Sequence, residues 1–208
     1  MSLKKAYLLV ILLLVIDQAT KIYIKTQFLL EEKIKVFGQN WFQIFFIEND
    51  GMAWGVEIPG NYGKLFLTLF RIVAVCGIGY WLHDAVKNNS SRYLIVAIAL
   101  ILTGAFGNII DSVFYGIIFS ESTTIEAAKM FDGNPYGTLF HGKVVDMLYF
   151  PFIEDYVLPE WVPIWGGKEF TFFNAIFNIA DMAISTGVGI LIVFNKKAFG
   201  PHPDKATA

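Results

Sequence analysis

Four apolar runs dominate this chain, at residues 6–24, 65–82, 93–113 and 170–194. Each approaches the roughly 17–25 residues that an α-helix needs to cross the hydrocarbon core of a bilayer. A backbone placed there must satisfy its own hydrogen bonds, so the runs are read as four transmembrane helices. Composition agrees, because 55% of the 208 residues are hydrophobic, against roughly 45–50% in a soluble domain. The predicted fold class is an α-helical polytopic membrane protein, a single membrane-embedded domain over 1–208. It carries a small extracytoplasmic antiparallel β-sheet at about 25–64 and an extended second outer loop at about 114–169.

The first run follows Lys4 and Lys5, as a secretory signal would, but it resumes at Ile22-Tyr23-Ile24 after a polar interval and has no small-x-small cleavage pattern. It is read as an uncleaved span. Lys4, Lys5, Lys87, Arg92, Lys196, Lys197 and Lys205 all fall on one side of a four-span arrangement. That side is cytoplasmic by the positive-inside rule, which places both termini inside and the acid-rich connections outside. Cys76 is the only cysteine, so no intramolecular disulfide can form; it is expected to be a small core residue. A net charge of −2 points to no particular partner.

In the first outer connection, Val36-Phe37, residues 41–47 and residues 53–58 read as strands broken at Gly38-Gln39-Asn40 and Glu48-Asn49-Asp50-Gly51, the pattern of a small antiparallel sheet. Trp41 and Trp54 suit the interfacial aromatic belt. The second connection is mixed, with a short helix expected near 123–130 and a turn at Asp132-Gly133-Asn134-Pro135.

Against this apolar background four aspartates stand out. Asp17, Asp111 and Asp181 lie inside the runs, and Asp146 lies between two short apolar clusters. A carboxylate at the centre of a lipid-facing helix opposes insertion by roughly 2.5–3.5 kcal/mol, so these acids must face inward, and an inward acid is a candidate for chemistry or transport. Asp17 and Lys21 are four residues apart and can pair on one helical face; a carboxylate so held is poorly placed for proton exchange, and a structural role is expected. Gly104, Asn108 and Asp111 form one stripe of the third span, with Gly107 allowing close helix approach. Asn174, Asn178, Asp181 and Ser185 are expected to share a face of the fourth span, with Asp181 about ten residues, or roughly 15 Å, below its outer end. Asp146 stands in a strongly apolar setting that should raise its pKa. If Asp181 approaches it, the two can share one proton, as an aspartic dyad does; spacing alone leaves a dyad, a proton relay and a packing role open.

Five blocks occur in order: Asp17-Gln18-Ala19-Thr20-Lys21, Asn49-Asp50-Gly51-Met52-Ala53-Trp54-Gly55, 104–111, Val144-Val145-Asp146, and 173–181. Together they closely resemble the bacterial lipoprotein signal peptidase family, also called signal peptidase II. The resemblance implies an aspartyl endopeptidase of the bacterial inner membrane that cuts diacylglyceryl-modified prolipoproteins just before the lipid-modified cysteine. It assigns catalysis to Asp146 and Asp181, site-shaping and substrate contact to Asn49, Gly51, Trp54, Gly104, Asn108, Asp111 and Asn178, and support to Asp17 and Lys21. It implies no metal or other cofactor, sensitivity to globomycin-type inhibitors, contact with membrane lipids, no nucleic-acid partner and a monomer. The chain departs from the family pattern at Ser112, where an arginine is usual and for which Arg71 is a candidate substitute. It also has longer segments around Asp146, which amount to an outer insertion. A proton-coupled transporter and a non-catalytic assembly factor are the competing readings. The first needs a pathway to both faces; the second does not require an acid in each block.

Overall fold

The computed structural model describes residues 1–49 and 61–200. Among the described residues, three helices are long and apolar enough to cross a membrane. The first, α1 (Leu3–Gln27), starts at Ser2, whose hydroxyl accepts from the Lys5 N–H. The second, α2 (Asn61–Lys87), ends before a tight link closed by Asn89 in the left-handed region. The third, α3 (Arg92–Ile110), is capped by the Ser91 hydroxyl and continues through a π turn (Asp111–Tyr115) into a last α turn (Gly116–Ile118). A shorter apolar helix, α4 (Ile179–Val193), is succeeded by the five-residue α5 (Asn195–Phe199).

The outward faces of these helices carry large apolar side chains. Leu8, Val15, Phe66, Val73, Tyr80 and Ile192 are each 60% exposed or more, a surface untenable in water and natural against acyl chains. Cys76 belongs to this outward face of α2, not to the core as expected, because α2 packs mainly on α3 and leaves its other side to lipid.

Four short strands, β1 (Lys33–Lys35), β2 (Gln43–Asn49), β3 (Val144–Tyr149) and β6 (Ile176–Phe177), pair in that spatial order as one antiparallel sheet. The sheet thus draws on both long connections. β3 pairs with β2 in a register that sets Asp146 opposite Ile47. A separate hairpin, β4 (Ile153–Val157) and β5 (Glu169–Phe172), projects from the second connection.

Several expectations shift. Val36–Gly38 is a 3₁₀ turn, with the strand lying just before it; the expected strand at 53–58 lies outside the described residues. Residues 123–130 are not helical. The Thr123 hydroxyl accepts from the Ile125 and Glu126 N–H groups, and the Ala128 N–H donates to the Lys25 carbonyl; side chain and neighbouring helix together take the bonds a helix would use. The fourth helix begins at Ile179 instead of near 170, because residues 169–172 pair with β4 and residues 176–177 pair with β3. Asp181 is therefore in the first turn of its helix, not ten residues down it, and Asn174 lies in the loop before it.

Two apolar cores flank the middle of the molecule. One gathers Ala6, Val10, Leu82, Leu94, Ile98 and Ala198, which puts the start of α1 and the helical turn at Ala198 at the same end of the bundle. The other joins Ile24, Phe46, Tyr115, Phe119, Val145 and Met147 beneath the sheet. A buried polar cluster lies between them.

Candidate active site

The cluster is built around Lys21, which is fully buried. Its ammonium pairs with Asp111 at 2.8 Å and with Asp17, one turn earlier on α1, at 3.1 Å, and donates to Asn108 Oδ1 at 2.8 Å. An ammonium has three N–H donors, and here all three have an acceptor. Gln18 packs beside it, its amide donating to Asp111 at 2.9 Å and Asp17 at 3.1 Å, while the Tyr115 hydroxyl donates to the Gln18 carbonyl at 3.1 Å. Two carboxylates thus share one lysine and one amide, the kind of complete satisfaction that makes a charge tolerable away from water.

The second half of the site is the buried start of α4. A helix leaves its first N–H groups without intrahelical partners. Here Asn178 and Asp181 form a reciprocal capping box, the Asp181 N–H donating to Asn178 Oδ1 at 2.9 Å and the Asn178 N–H to Asp181 Oδ2 at 3.2 Å. The Ala180 N–H donates to Asp17 Oδ1 at 2.8 Å, so α1 caps α4 across the bundle. Small residues permit this approach. A Cβ on Gly104 would lie 2.0 Å from the Ala180 carbonyl oxygen, and one on Gly107 would lie 2.7 Å from Asp17 Oδ2.

Strand β3 brings the last acid. The π turn in α3 leaves carbonyls free, and those of Ser112 and Val113 accept from the Gly142 and Phe140 N–H groups at 2.9 and 3.0 Å. This seats the segment leading into β3, and π turns of this kind are frequent at functional sites. Asp146 is 2% exposed. It accepts from Asn178 Nδ2 at 2.7 Å and from the Asn49 side-chain amide. Asn178 also donates to Asn108 Oδ1 at 3.1 Å, and Asn108 in turn donates to Asp181 Oδ1 at 2.8 Å. Two asparagines therefore link the two acids. Burial pushes the Asp146 carboxyl up to about 8, with the negative charge of Asp181 acting in the same direction and Lys21 and the Asn178 hydrogen bond opposing it. Two acids coupled in this way, one of them built to keep its proton, can deliver and accept protons on one substrate.

The four acids, Lys21, Asn49, Gly104, Asn108 and Asn178 all meet here. Gly51 and Trp54 lie outside the described residues, and Asn174 and Ser185 are exposed away from the cluster. Ser112 is buried and donates to the Asn108 carbonyl at 3.0 Å, and Arg71 of α2 lies within the electrostatic reach of Asp181. Sequence reasoning missed the roles of Gln18 and Tyr115; Gln18 stands between Asp17 and Lys21 in the first acid-bearing block, whereas nothing marks a lone tyrosine in an apolar run. It also missed a second buried cluster, in which Lys25 pairs with Glu48 and donates to Ser122 Oγ at 2.9 Å.

Two solved bacterial membrane enzymes share this fold. One, determined at 2.3 Å by the in meso method, matches with a TM-score of 0.62 at 23% identity, covering 97% of this chain and 93% of the other. A second, at 1.9 Å, gives 0.60 at 24% identity, with 93% of each covered. What they share with this chain is the fold, a bundle of membrane-length helices. The chain belongs to the signal peptidase II family of aspartic-type peptidases: the family model, described as signal peptidase (SPase) II, matches residues 9–196. Relatives named lipoprotein signal peptidase include that of Porphyromonas gingivalis, 49% identical over 186 residues, covering 89% of this chain and 80% of the relative. That of Amoebophilus asiaticus is 40% identical over 205 residues, covering 96% and 80%; that of Pelodictyon phaeoclathratiforme is 30% identical over 199, covering 95% and 93%.

Proposed function

We propose that this protein removes the signal peptides of diacylglyceryl-modified prolipoproteins by aspartyl chemistry, with Asp146 and Asp181 as the catalytic pair. The observation that carries the assignment is the link Asp146–Asn178–Asn108–Asp181 between a proton-holding acid and a partner at a helix start. In the proposed reaction Asp181 takes a proton from water as its oxygen attacks the scissile carbonyl, while Asp146 gives its proton to the carbonyl oxygen. Collapse of the tetrahedral intermediate breaks the C–N bond as the proton held by Asp181 passes to the leaving nitrogen and one hydroxyl of the intermediate returns its proton to Asp146, which restores both acids. Asn49 and Asn178 orient Asp146, and Asn108 orients Asp181. Asp111, Asp17 and Lys21 hold the frame, and Gly104 allows the helix approach on which the frame depends.

The charge distribution supports an orientation with both termini in the cytoplasm and the site near the outer leaflet, since the flanking lysines and Arg92 sit at the end opposite the sheet. A lipid-modified substrate reaches such a site laterally, with its signal helix still in the membrane. In this reading Gly51 and Trp54 contact the bound substrate, globomycin-type inhibitors compete for the same place, and the enzyme works as a monomer. The test is a gel-shift assay of a prolipoprotein with purified protein carrying Asp146→Asn or Asp181→Asn. Each should cut cleavage by 10²–10⁴-fold, the usual contribution of general acid–base action, and globomycin should block the parent. Cleavage in either variant at more than about a hundredth of the parent rate would refute the pair.

A further inference from the structure

The β4–β5 hairpin has no part in the site and carries an unusual load of exposed apolar side chains. Phe152, Tyr156 and Phe172 are 60%, 53% and 53% exposed, and at the tip Trp161, Ile164 and Trp165 are 81%, 85% and 57% exposed. A two-stranded hairpin is marginal in water by itself, and an apolar surface of this kind marks an interface. Three observations identify what covers it.

The first is depth. With 15 residues, α4 is about 22 Å long, short of the roughly 30 Å hydrocarbon core. Lys196 and Lys197 in α5 follow its end after two residues and hold that end at the interface. The start of α4 then lies roughly 8 Å beneath the opposite surface of the hydrocarbon. The six residues 173–178, at most about 20 Å when extended, join that start to β5, so the hairpin begins no more than about 12 Å outside the hydrocarbon, within reach of the headgroup layer.

The second is continuity. Ring contacts run without a break from the sheet into the hairpin: Phe42 on Phe150 at 4.7 Å, Phe150 on Phe177 at 5.7 Å, Phe177 on Phe173 at 6.1 Å, Phe173 on Phe152 at 6.1 Å and Phe152 on Phe172 at 6.5 Å. The third is side-chain chemistry. Lys168 sits over the Trp165 ring at 5.8 Å, and Glu160 and Glu169 are exposed. Tryptophan beside lysine suits the headgroup layer, and the two glutamates keep the hairpin out of the acyl region.

We propose that the hairpin is an interfacial anchor, lying on the leaflet surface with its aromatic side chains among the lipid headgroups, and that it sets the depth of β6 and of the α4 start that carries Asp181. The inference rests on the membrane-spanning reading of the helices and not on the cleavage reaction.

The full chain, reconstituted in phosphatidylcholine–phosphatidylglycerol vesicles, gives the test. Trp161→Tyr and Trp165→Tyr are made separately, and subtracting each variant's emission from the parent's isolates one hairpin tryptophan. Both signals should be quenched at least about twofold more by lipids brominated near the headgroup than by lipids brominated at the chain end, and should be shielded from aqueous iodide. This should hold at every protein-to-lipid ratio. Full access to iodide with no bromolipid quenching would overturn the anchor. Shielding that appears only as protein density rises would overturn it in favour of contact between two copies. The readout needs no peptidase activity, so failure of the anchor and failure of the catalytic assignment are separable.

Discussion

Lys21 carries one positive charge against the two carboxylates it touches, and the rest of their demand is met by Gln18, itself held by the Tyr115 hydroxyl, and by the backbone N–H groups of Val145 and Ala180. Taking the ammonium away leaves Asp17 and Asp111 buried against each other. Lys21→Met should therefore cost about 3–5 kcal/mol, the usual penalty for breaking a buried pair, and a thermal melt in detergent should show it as a large loss of stability. Asp146 makes the opposite demand, for a retained proton. Its carboxyl is held up at about 8 by burial and by Asp181, so the protonated form is present below that pH and lost above it. If that proton is the one delivered to substrate, the cleavage rate should fall about tenfold per pH unit beyond pH 8. A rate still rising at pH 9 would assign the proton to another group.

The helices depend on where their small residues fall. Gly104 has no room for a methyl group against the Ala180 carbonyl, whereas a Cβ on Gly77 of α2 meets nothing within 4 Å. Gly104→Ala should force α3 and α4 apart and lower both stability and activity; Gly77→Ala should leave both unchanged or gain slightly from the better helix former. Melting and cleavage measured side by side on the two variants check this. The first three helices were legible in the sequence because an apolar run of span length has few other solutions in a membrane. The start of the fourth was not, since hydropathy sums apolar content without regard to period and Phe170–Phe177 is as apolar as the helix after it. The signal that could have found it is Asn178-x-x-Asp181, a capping pattern, set after an aromatic stretch better suited to strands. β3 was hidden for a related reason: Val144-Val145-Asp146-Met147 carries a polar residue inward, which breaks the alternation that usually reveals a strand. The order of the acid-bearing blocks was legible; the asparagine bridge was not, because it depends on where helices and strands end.

At the scale of the whole molecule, Lys25 ties three distant segments together. It leaves the end of α1 to pair with Glu48 of β2, donates to Ser122 of the second connection, and lies over the Tyr136 ring at 4.8 Å. Lys25→Met should release the 119–136 segment while the bundle interior stays intact. Hydrogen exchange should then quicken about tenfold or more in that segment and remain unchanged within α3. The capped start of α4 carries a further consequence, for biogenesis. A 15-residue helix whose first N–H groups are satisfied partly by Asp17 of α1 has no stable place in lipid before α1 and α3 are there to receive it. Translation supplies that order, because α4 leaves the ribosome after α1 and α3. A circular permutant that presents α4 first should stall at the translocon or be degraded, even though every contact of the finished enzyme remains encoded in its chain.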